Sequence, residues 1–400
     1  MKLGYILSVM RLLFVVDGRS PIALNWIGFF VKAGHEVHMI STYPCNPDLQ
    51  LASLNVVPVA LSEVAGSEGA AATSKGGWKS LIPVGTRTAV RQWLGPLTLV
   101  SASKRMSVIA ADIKPDLIHA MRIPFEGMLA TLADPPAPVL VSVWGNDFTL
   151  HAPATPQLAS YTRSTLQRAS ALHTDCERDV RLAYAWGFSE SKPAVVLPGS
   201  GGVQANIFYP PEINTSAKQP LVINPRGFRA YVRSDTFFKA IPLILERHPE
   251  THFTCPNMAG VAQVGRWIEE LGIARHVTLL AQQTRTQMAD LFRQAQVAVS
   301  ASTHDGTPNT LLEAMACGCF PVAGDLESLR EWIVPGINGL LFDPGEPESL
   351  AQAVCIALAQ PQLRIRASEY NIHLIQERAD YEQVMGQAIL FYQQLVGMSA

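Results

Sequence analysis

Short apolar runs with the length of β-strands alternate with helical stretches along almost the whole chain. The first apolar run, at residues 12–16, is followed by a helical stretch at residues 21–32 and a second run at residues 36–40. Regular alternation of this kind is typical of parallel sheets with helices on both faces. The sequence therefore predicts an α/β fold with doubly wound, Rossmann-like sheets.

A segment rich in Gly and Pro, residues 197–220, interrupts this alternation. A second series starts afterwards with an apolar run at residues 221–224, and it again alternates strands with helices. Breaks of this composition favour a boundary between two domains. We therefore predict a first domain over residues 1–197 and a second that begins at residue 198.

Composition argues against several classes of protein. The 400 residues are 48% hydrophobic and 16% charged, with a formal net charge of −2, which suits a globular protein without a general attraction for nucleic acid. The six cysteines form no CxxC pair and the histidines show no zinc pattern, so a reduced, intracellular protein is expected. No apolar run reaches the roughly 18 residues of a membrane span.

The first nine residues do not fit a secretory signal. Arg11 interrupts the apolar run, and no small-residue cleavage site precedes Asp17. From Met10 onward the chain already supplies a basic residue, an apolar strand of ordinary length and a glycine loop. We therefore expect residues 1–9 to be an extension that packs loosely.

One short motif in the second series is the most informative about function. Two carboxylates, Asp305 and Glu313, have seven residues between them, with a turn of Gly, Pro and Asn that leads into a predicted helix. We predict that Thr307 caps this helix, that Pro308 takes its first position and that Gly318 ends it. The opening amides of such a helix favour an anion, and the carboxylates can accept hydrogen bonds from hydroxyls. A nucleotide sugar, with its diphosphate between two polyols, suits this chemistry.

The motif resembles the donor-site signature of retaining glycosyltransferases of the GT-B fold (group 1, or family 4). The family pattern is Glu, seven residues, Glu and then Ala-Met-Ala-x-Gly, and here Asp305 and Glu313 are followed by AMACG. The resemblance implies that Asp305, one methylene shorter than Glu, contacts the transferred sugar. It also implies that Glu313 holds the ribose hydroxyls and that amides near Asn309 and Thr310 bind the diphosphate. The structural alternative is a capping box from Thr310 to Glu313.

The resemblance covers nearly the whole chain and implies its organisation. In the GT-B fold two Rossmann-like domains face each other across a cleft, with the acceptor on the first (residues 1–197) and the donor on the second (residues 198–378). The final helix, within residues 379–400, would cross back onto the first domain. The implied reaction moves a hexose from a nucleoside-diphosphate sugar to a glycan or lipid-linked acceptor, with retention of configuration.

Further donor-side residues follow from the same resemblance. Gly18 lies where the family has a glycine loop that meets the diphosphate, although the usual second Gly is Arg here; a tight turn is the alternative. Arg226 matches the Arg of the family's Gly-Arg-x4-Lys pattern, which neutralises the diphosphate. Because Tyr231 takes the Lys position, Arg229 and Arg233 are candidates for the second charge.

The acceptor side departs from the family at one position. Many members have His-Gly near the transferred sugar, whereas this chain has Trp144 followed by Gly145. An indole can only donate a hydrogen bond, so Asp147 or His151 is the candidate to replace the missing His. His119 matches a common family His at a strand end. The structural alternatives are a core Trp144, a helix cap at Asp147 and a buried His119.

A basic stretch precedes these acceptor-side candidates. No acidic residue occurs from Gly69 to Ala111, whereas six Lys or Arg residues are interleaved with Trp and Leu. Residues 75–105 would thus suit an anionic membrane surface or a lipid-diphosphate acceptor, and the enzyme would work at the cytoplasmic face of a membrane. The alternative is a solvated helix with its apolar side in the core.

Neither a metal nor a cofactor is expected beyond the nucleotide sugar, because the chain has no Asp-x-Asp motif. Two other functions stay open. One is a nucleotide-sugar epimerase of the same fold, which would turn over the donor without an acceptor. The other is a non-catalytic nucleotide-sugar-binding subunit, which the missing Lys and His suggest.

Overall fold

The computed structural model of this protein describes three ranges of the chain: residues 9–60, 91–211 and 220–398. The expectation of a loosely packed extension falls almost wholly on residues 1–8, outside this description. The same holds for three cations of the basic stretch, Lys75, Lys79 and Arg87.

Two compact units make up the chain. The first unit comprises Met1–Gly201 together with Met385–Ala400, and the second comprises Gly202–Val384. Each unit has its own apolar core around a parallel sheet. The predicted α/β class with two doubly wound sheets is therefore confirmed.

The first unit has a parallel sheet with the strand order β3-β2-β1-β4-β5-β6-β7. Its strands are β1 (Arg11–Val16), β2 (Glu36–Ser41), β3 (Ser53–Val56), β4 (Leu117–Ala120), β5 (Val139–Val143), β6 (Ala171–Thr174) and β7 (Ala194–Val196). Its helices are α1 (Pro21–Lys32), α2 (Leu99–Ile113), α3 (Met128–Leu132), α4 (Pro156–Arg168) and α5 (Glu177–Ala185).

The second unit has a parallel sheet with the strand order β10-β9-β8-β11-β12-β13. Its strands are β8 (Leu221–Ile223), β9 (His252–Cys255), β10 (Val277–Leu279), β11 (Val297–Ser300), β12 (Phe320–Gly324) and β13 (Leu340–Phe342). Its helices are α6 (Ser234–Arg247), α7 (Ala262–Glu270), α8 (Arg285–Gln294), α9 (Asn309–Ala316), α10 (Pro347–Ala359) and α11 (Pro361–Arg378); helix α12 (Tyr381–Leu395) ends the chain, with its residues from Met385 in the first unit.

Local chemistry explains why α1 has the bounds predicted from the sequence. The Ser20 hydroxyl caps the helix by accepting a hydrogen bond from the Ala23 amide, and Pro21 occupies the first turn, where a missing N–H is harmless. After the helix, Gly34 takes a positive φ of 85°, which glycine adopts without steric penalty. The chain can therefore reverse and enter β2.

A buried chain of hydrogen bonds ties α12 to the first sheet. Trp26 on α1 donates its Nε1 proton to the Tyr392 hydroxyl over 2.9 Å, and that hydroxyl lies 2.5 Å from His119 Nδ1. The other ring nitrogen of His119 lies 2.7 Å from the hydroxyl oxygen of Ser142 on β5. Because all of these groups are buried, their hydrogen bonds cannot be exchanged for water at low cost.

The groups at the two ends of this hydrogen-bond chain determine which atom donates and which accepts in every bond. Ser142 Oγ lies 2.8 Å from His173 Nδ1, and His173 Nε2 lies 2.9 Å from the Leu197 carbonyl oxygen, which can only accept. Burial lowers the pKa of His173 to about 4 and lowers that of His119 well below its usual value, so both rings are neutral at pH 7. Consequently His173 accepts from Ser142, Ser142 accepts from His119, and His119 accepts from Tyr392.

Removing the central hydroxyl should be costly for folding. We expect Tyr392→Phe to lower the free energy of unfolding by roughly 2–4 kcal/mol, because Trp26 Nε1 and His119 Nδ1 each lose a buried partner. Urea denaturation at pH 7 measures this change. Leu390→Ala, at an exposed position of the same helix, is the control. An equal effect of both substitutions would show that the hydrogen bonds of the Tyr392 hydroxyl do not stabilise the fold.

Candidate functional site

The candidate site of the second unit lies at the carboxyl ends of two neighbouring strands. β8 pairs with β9 on one side and with β11 on the other, so the strand order changes direction between β8 and β11. Ligands of open parallel sheets bind at such a switch point. Arg226 follows β8 and Asp305 follows β11, so the fold brings both predicted site residues to this edge.

Arg226 and Asp305 form an ion pair at this switch point. The Arg226 Nη2 donates to the Asp305 Oδ2 over 2.6 Å, and only 12% and 14% of the two side chains are exposed. The Arg226 Nε is buried and has no hydrogen-bond partner among the described residues. Ser328 donates to the Asp305 carbonyl oxygen over 2.7 Å and so helps to fix the loop.

The two other candidate arginines differ in how they are held. Arg229 donates to the Arg226 carbonyl oxygen and to the Tyr231 hydroxyl, each over 3.1 Å. Arg233 forms two parallel hydrogen bonds of 2.8 Å with Asp235, and these bonds lower the pKa of that carboxyl group. Arg233 is thus already neutralised, whereas Arg229 lies beside the backbone that carries Arg226.

The start of helix α9 differs from the prediction, whereas its end agrees with it. The predicted cap by Thr307 is wrong: Pro308 occupies the N-cap position and makes no capping hydrogen bond through its side chain, and the Thr307 hydroxyl accepts from Trp332 Nε1 over 2.9 Å. Pro308 therefore lies one position before the predicted one. The predicted end at Gly318 is confirmed, since Gly318 follows the C-cap with a φ of 83°.

Glu313 lies in the second half of α9, and it is not part of a capping box. Its Oε1 is 3.6 Å from the Nη2 of Arg285, and the buried Thr310 hydroxyl has no hydrogen-bond partner in the described parts of the chain. Burial raises the pKa of Glu313 to about 7, although the nearby Arg285 charge acts in the opposite direction. The carboxyl group is therefore poised between its neutral and charged forms at neutral pH.

Sequence reasoning missed several polar residues at these strand ends. Asn224, directly after β8, is fully buried, and neither its amide nitrogen nor its amide oxygen has a hydrogen-bond partner among the described side chains. The hydroxyls of Ser300 and Ser302, at the end of β11 and just beyond it, are in the same condition. The sequence signal that could have revealed these residues is a polar residue at the end of an otherwise apolar strand.

In the first unit, side chains pack closely around Gly18 in the loop after β1. A Cβ at this position would collide with Cys45 Sγ and would lie 2.8 Å from Ser41 Oγ. The Ser41 hydroxyl also accepts from the Gly18 amide over 3.0 Å. This packing accounts for a glycine here without any ligand, and contact with a diphosphate stays a prediction.

Asp147 is enclosed by donors of its own unit. Its carboxylate accepts from Arg122 Nε at 2.9 Å and from the backbone amides of Trp144 and Ile123 at 3.1 Å and 3.2 Å. Burial raises its pKa, and Arg122 acts against that shift. The geometry assigns Asp147 to holding two loops together, and a role on the substrate stays a prediction.

The remaining acceptor-side candidates lie in different surroundings. His119 is buried in the hydrogen-bond chain to Tyr392, with both ring nitrogens engaged. His151 is partly exposed and lies 3.4 Å from the Gln92 side chain through its Nδ1. Trp144 has a buried Nε1 without a hydrogen-bond partner among the described residues. Of the two histidines, His151 is the one that solvent reaches.

One group of side chains in the described structure has the spacing of metal ligands. Ligand atoms of Asp175, Cys176 and Asp179 lie within 4.8 Å of one another. The buried guanidinium of Arg178 donates to Asp179 Oδ1 over 2.7 Å. A positive charge already balances that carboxylate, so the cluster is explained by an internal ion pair.

Comparison with known proteins agrees with this geometry. Residues 207–373 match the family described as glycosyl transferases group 1, and residues 21–199 match the glycosyl transferase 4-like domain. The chain belongs to the group 1 glycosyltransferases. The two matched regions correspond to the second and the first unit, and the candidate residues of each unit lie within or next to them.

Curated relatives of this glycosyltransferase include D-inositol 3-phosphate glycosyltransferases. The enzyme of Rhodococcus jostii (strain RHA1) is 25% identical over 214 residues, which is 49% of this chain and 46% of that protein. The enzyme of Mycolicibacterium smegmatis is 31% identical over 117 residues, 28% of this chain and 27% of that protein. In both comparisons the match spans less than half the length of the relative.

Solved structures match the fold over nearly the whole chain. Sucrose-phosphate synthase from Thermosynechococcus elongatus has a TM-score of 0.76 at 18% identity, covering 97% of this chain and 100% of that one. The Anabaena protein HepE in complex with UDP-glucose has a TM-score of 0.72 at 15% identity, covering 96% and 99%. The predicted GT-B fold is thereby confirmed. Among the described residues, no helix combines the length and apolar character that crossing a membrane requires.

The raised pKa of Glu313 predicts a pH-dependent stability in the free glycosyltransferase. The folded-state pKa of about 7 lies above the ordinary value of 4.5, so the native state holds the proton more tightly and loses stability as pH rises between these values. We expect Glu313→Gln to remove this loss, which amounts to as much as about 3 kcal/mol.

Thermal melting of the free protein at pH 5 and pH 8 measures this effect. The melting temperature of Glu313→Gln should rise relative to the wild type as pH increases. Glu269→Gln, at an exposed position of the same unit, is the control and should show no such trend. A Glu313→Gln protein that melts lower at both pH values would mean that the carboxyl group stabilises the helix.

Proposed function

We propose that this group 1 glycosyltransferase transfers a hexose from a nucleoside-diphosphate sugar to a hydroxyl of a glycan or a lipid-linked acceptor, with retention of configuration. The observation that carries the proposal is the Arg226–Asp305 ion pair at the strand switch point, with Glu313 on the helix that follows. The binding of UDP-glucose by the structurally similar HepE supports a nucleotide-sugar donor.

Donor binding would rearrange the ion pair at the switch point. A diphosphate is a stronger competitor for Arg226 than one carboxylate, because it offers more negative charge and several acceptor oxygens. Arg226 would turn to the diphosphate and release Asp305 to accept a hydrogen bond from a hydroxyl of the transferred sugar. Amides in the first turn of α9, which begins at Asn309, would contact the same diphosphate.

Glu313 would bind the ribose at the nucleoside end of the donor. A carboxylate can accept hydrogen bonds from both ribose hydroxyls, and bonds to a charged group contribute about 1.5–3 kcal/mol. In the free protein the Glu313 carboxyl group is partly protonated at neutral pH, because burial raises its pKa to about 7. Only the ionised form offers two charged oxygens that both act solely as acceptors.

The transfer itself needs no nucleophile from the protein. The acceptor oxygen would attack the anomeric carbon on the face that the nucleotide leaves, and the bond to the phosphate oxygen would break with its electron pair on that oxygen. The acceptor proton would pass to the same departing phosphate. Arg226 and the opening amides of α9 would stabilise the negative charge that develops there.

The pKa of Glu313 predicts how donor affinity depends on pH. A nucleotide sugar has no phosphate group that titrates near pH 7, so affinity should increase as pH rises from 6 to 8 and the Glu313 carboxyl group ionises. Isothermal titration calorimetry with a panel of nucleoside-diphosphate hexoses measures this dependence and identifies the donor. Glu313→Gln should bind more weakly and lose the dependence. An unchanged affinity in that variant would remove Glu313 from the donor site.

Turnover tests the role of Arg226. We expect Arg226→Ala to reduce kcat by roughly 100-fold or more, because the variant loses charge where the leaving group develops it. Arg233→Ala is the matched control, since Asp235 already neutralises that arginine, and it should lose little. Equal losses in the two variants would contradict the assignment.

The configuration of the product tests retention. NMR of the product formed from the donor that calorimetry identifies should show the anomeric configuration of that donor. Inversion would overturn the proposed chemistry. Conversion of the donor sugar without any acceptor would favour an epimerase instead.

A further inference from the structure

Helix α2 in the first unit has apolar residues on two opposite faces. One face packs into the core of the unit, and its buried residues recur at three- or four-residue intervals. These residues are Leu99, Ala102, Ser103, Met106 and Ala110. A helix at the surface of a globular protein normally has polar residues on the opposite side, whereas α2 has Val100 and Val108 among its exposed polar residues there.

The opposite face of α2 exposes large apolar side chains. Val100 and Val108 are 54% and 71% exposed, and Leu97, in the helical turn that leads into α2, is 67% exposed. Trp93 and Leu94, just before that turn, are 62% and 46% exposed. Of the twelve exposed large apolar residues in the described structure, five therefore lie in this one segment. Exposed apolar residues concentrated in this way mark a contact surface rather than scattered exposure.

Positive charge accompanies this apolar face. Lys104 lies between Val100 and Val108 at helical spacing, and Arg105 follows it; both are exposed. The nearest acidic residue toward the C-terminus is Asp112, because the sequence has none from Gly69 to Ala111. We name the set of Trp93, Leu94, Leu97, Val100, Lys104, Arg105 and Val108 the outer face of α2.

We propose that the outer face of α2 docks onto the surface of an anionic lipid bilayer. Trp, Leu and Val would enter the boundary between head groups and acyl chains, while the Lys104 and Arg105 side chains extend along that surface to lipid phosphates. The attraction of each basic side chain to an anionic leaflet adds to the apolar burial. The one acid on this side of the helix, Asp112, lies a turn beyond Val108, so Lys104 and Arg105 leave the outer face with a net positive charge that suits a bilayer offering hydrocarbon and negative charge at the same place.

This docking is separate from sugar transfer and does not rest on it. The candidate donor residues Arg226, Asp305 and Glu313 belong to the second unit, whereas the outer face of α2 belongs to the first. Binding to lipid can therefore be measured without donor or acceptor. The helix would lie on the membrane and not cross it, in keeping with its length of 15 residues.

Vesicle flotation with the full chain tests the proposal. Wild-type protein should float with vesicles of phosphatidylcholine and phosphatidylglycerol, much less with phosphatidylcholine alone, and less again as salt increases. The variant Leu97→Gln, Val100→Gln and Val108→Gln should reduce binding roughly tenfold or more, since its apolar contacts are lost. The variant Lys104→Glu and Arg105→Glu should reduce binding and remove the salt dependence.

A matched control substitutes exposed apolar residues of the second unit. Val334→Gln with Ile337→Gln changes two side chains that are also exposed, and it should float like the wild type. Circular dichroism melting checks that each variant folds. Absence of wild-type flotation, or equal flotation of the outer-face and control variants, would overturn the proposal. A wild-type dimer that dissociates in the Leu97→Gln variant without any vesicle binding would also overturn it, and would assign the face to a second copy of the chain.

Discussion

The ion pair between Arg226 and Asp305 is the interaction on which the second unit's candidate site depends. Two charges that are nearly buried lose most of their hydration, and their mutual attraction offsets that loss only at close range. The pair therefore keeps the loops after β8 and β11 together at one edge of the sheet. In the proposed function, the pair would also hold Arg226 at the position where a diphosphate replaces Asp305 as its anion.

Much of this arrangement could be predicted from the sequence because it depends on local pattern. Helix α1 has its predicted bounds and strand β1 begins one residue before the predicted run, since a capped helix and an apolar run carry their signals within a few residues. The spacing of Asp305 and Glu313 places both on one loop and the helix after it. By contrast, β3 is a short, partly exposed strand at the edge of the sheet, and it has no apolar run to reveal it.

The partners of these residues could not be predicted, because each comes from a distant part of the chain. Arg285 reaches Glu313, Trp332 takes the Thr307 hydroxyl that was expected to cap α9, and Arg122 with two backbone amides encloses Asp147. Such contacts depend on which loops the sheet order brings together. The outer face of α2 could be predicted only in part, since the sequence showed its charge and its apolar content but not which residues face outward.

Two groups of buried polar side chains, one in each unit, differ in how completely their hydrogen bonds are satisfied. In the first unit the chain from Trp26 to Leu197 pairs each donor with one acceptor, and a closed buried network of this kind rigidifies the sheet against α12. At the strand ends of the second unit, the side-chain amide of Asn224 and the Nε of Arg226 have no hydrogen-bond partner among the described residues. A buried polar group without a partner costs free energy, and a bound donor molecule or ordered water would recover it. The first arrangement therefore serves stability, and the second leaves binding capacity at the edge where a nucleotide sugar is proposed to bind.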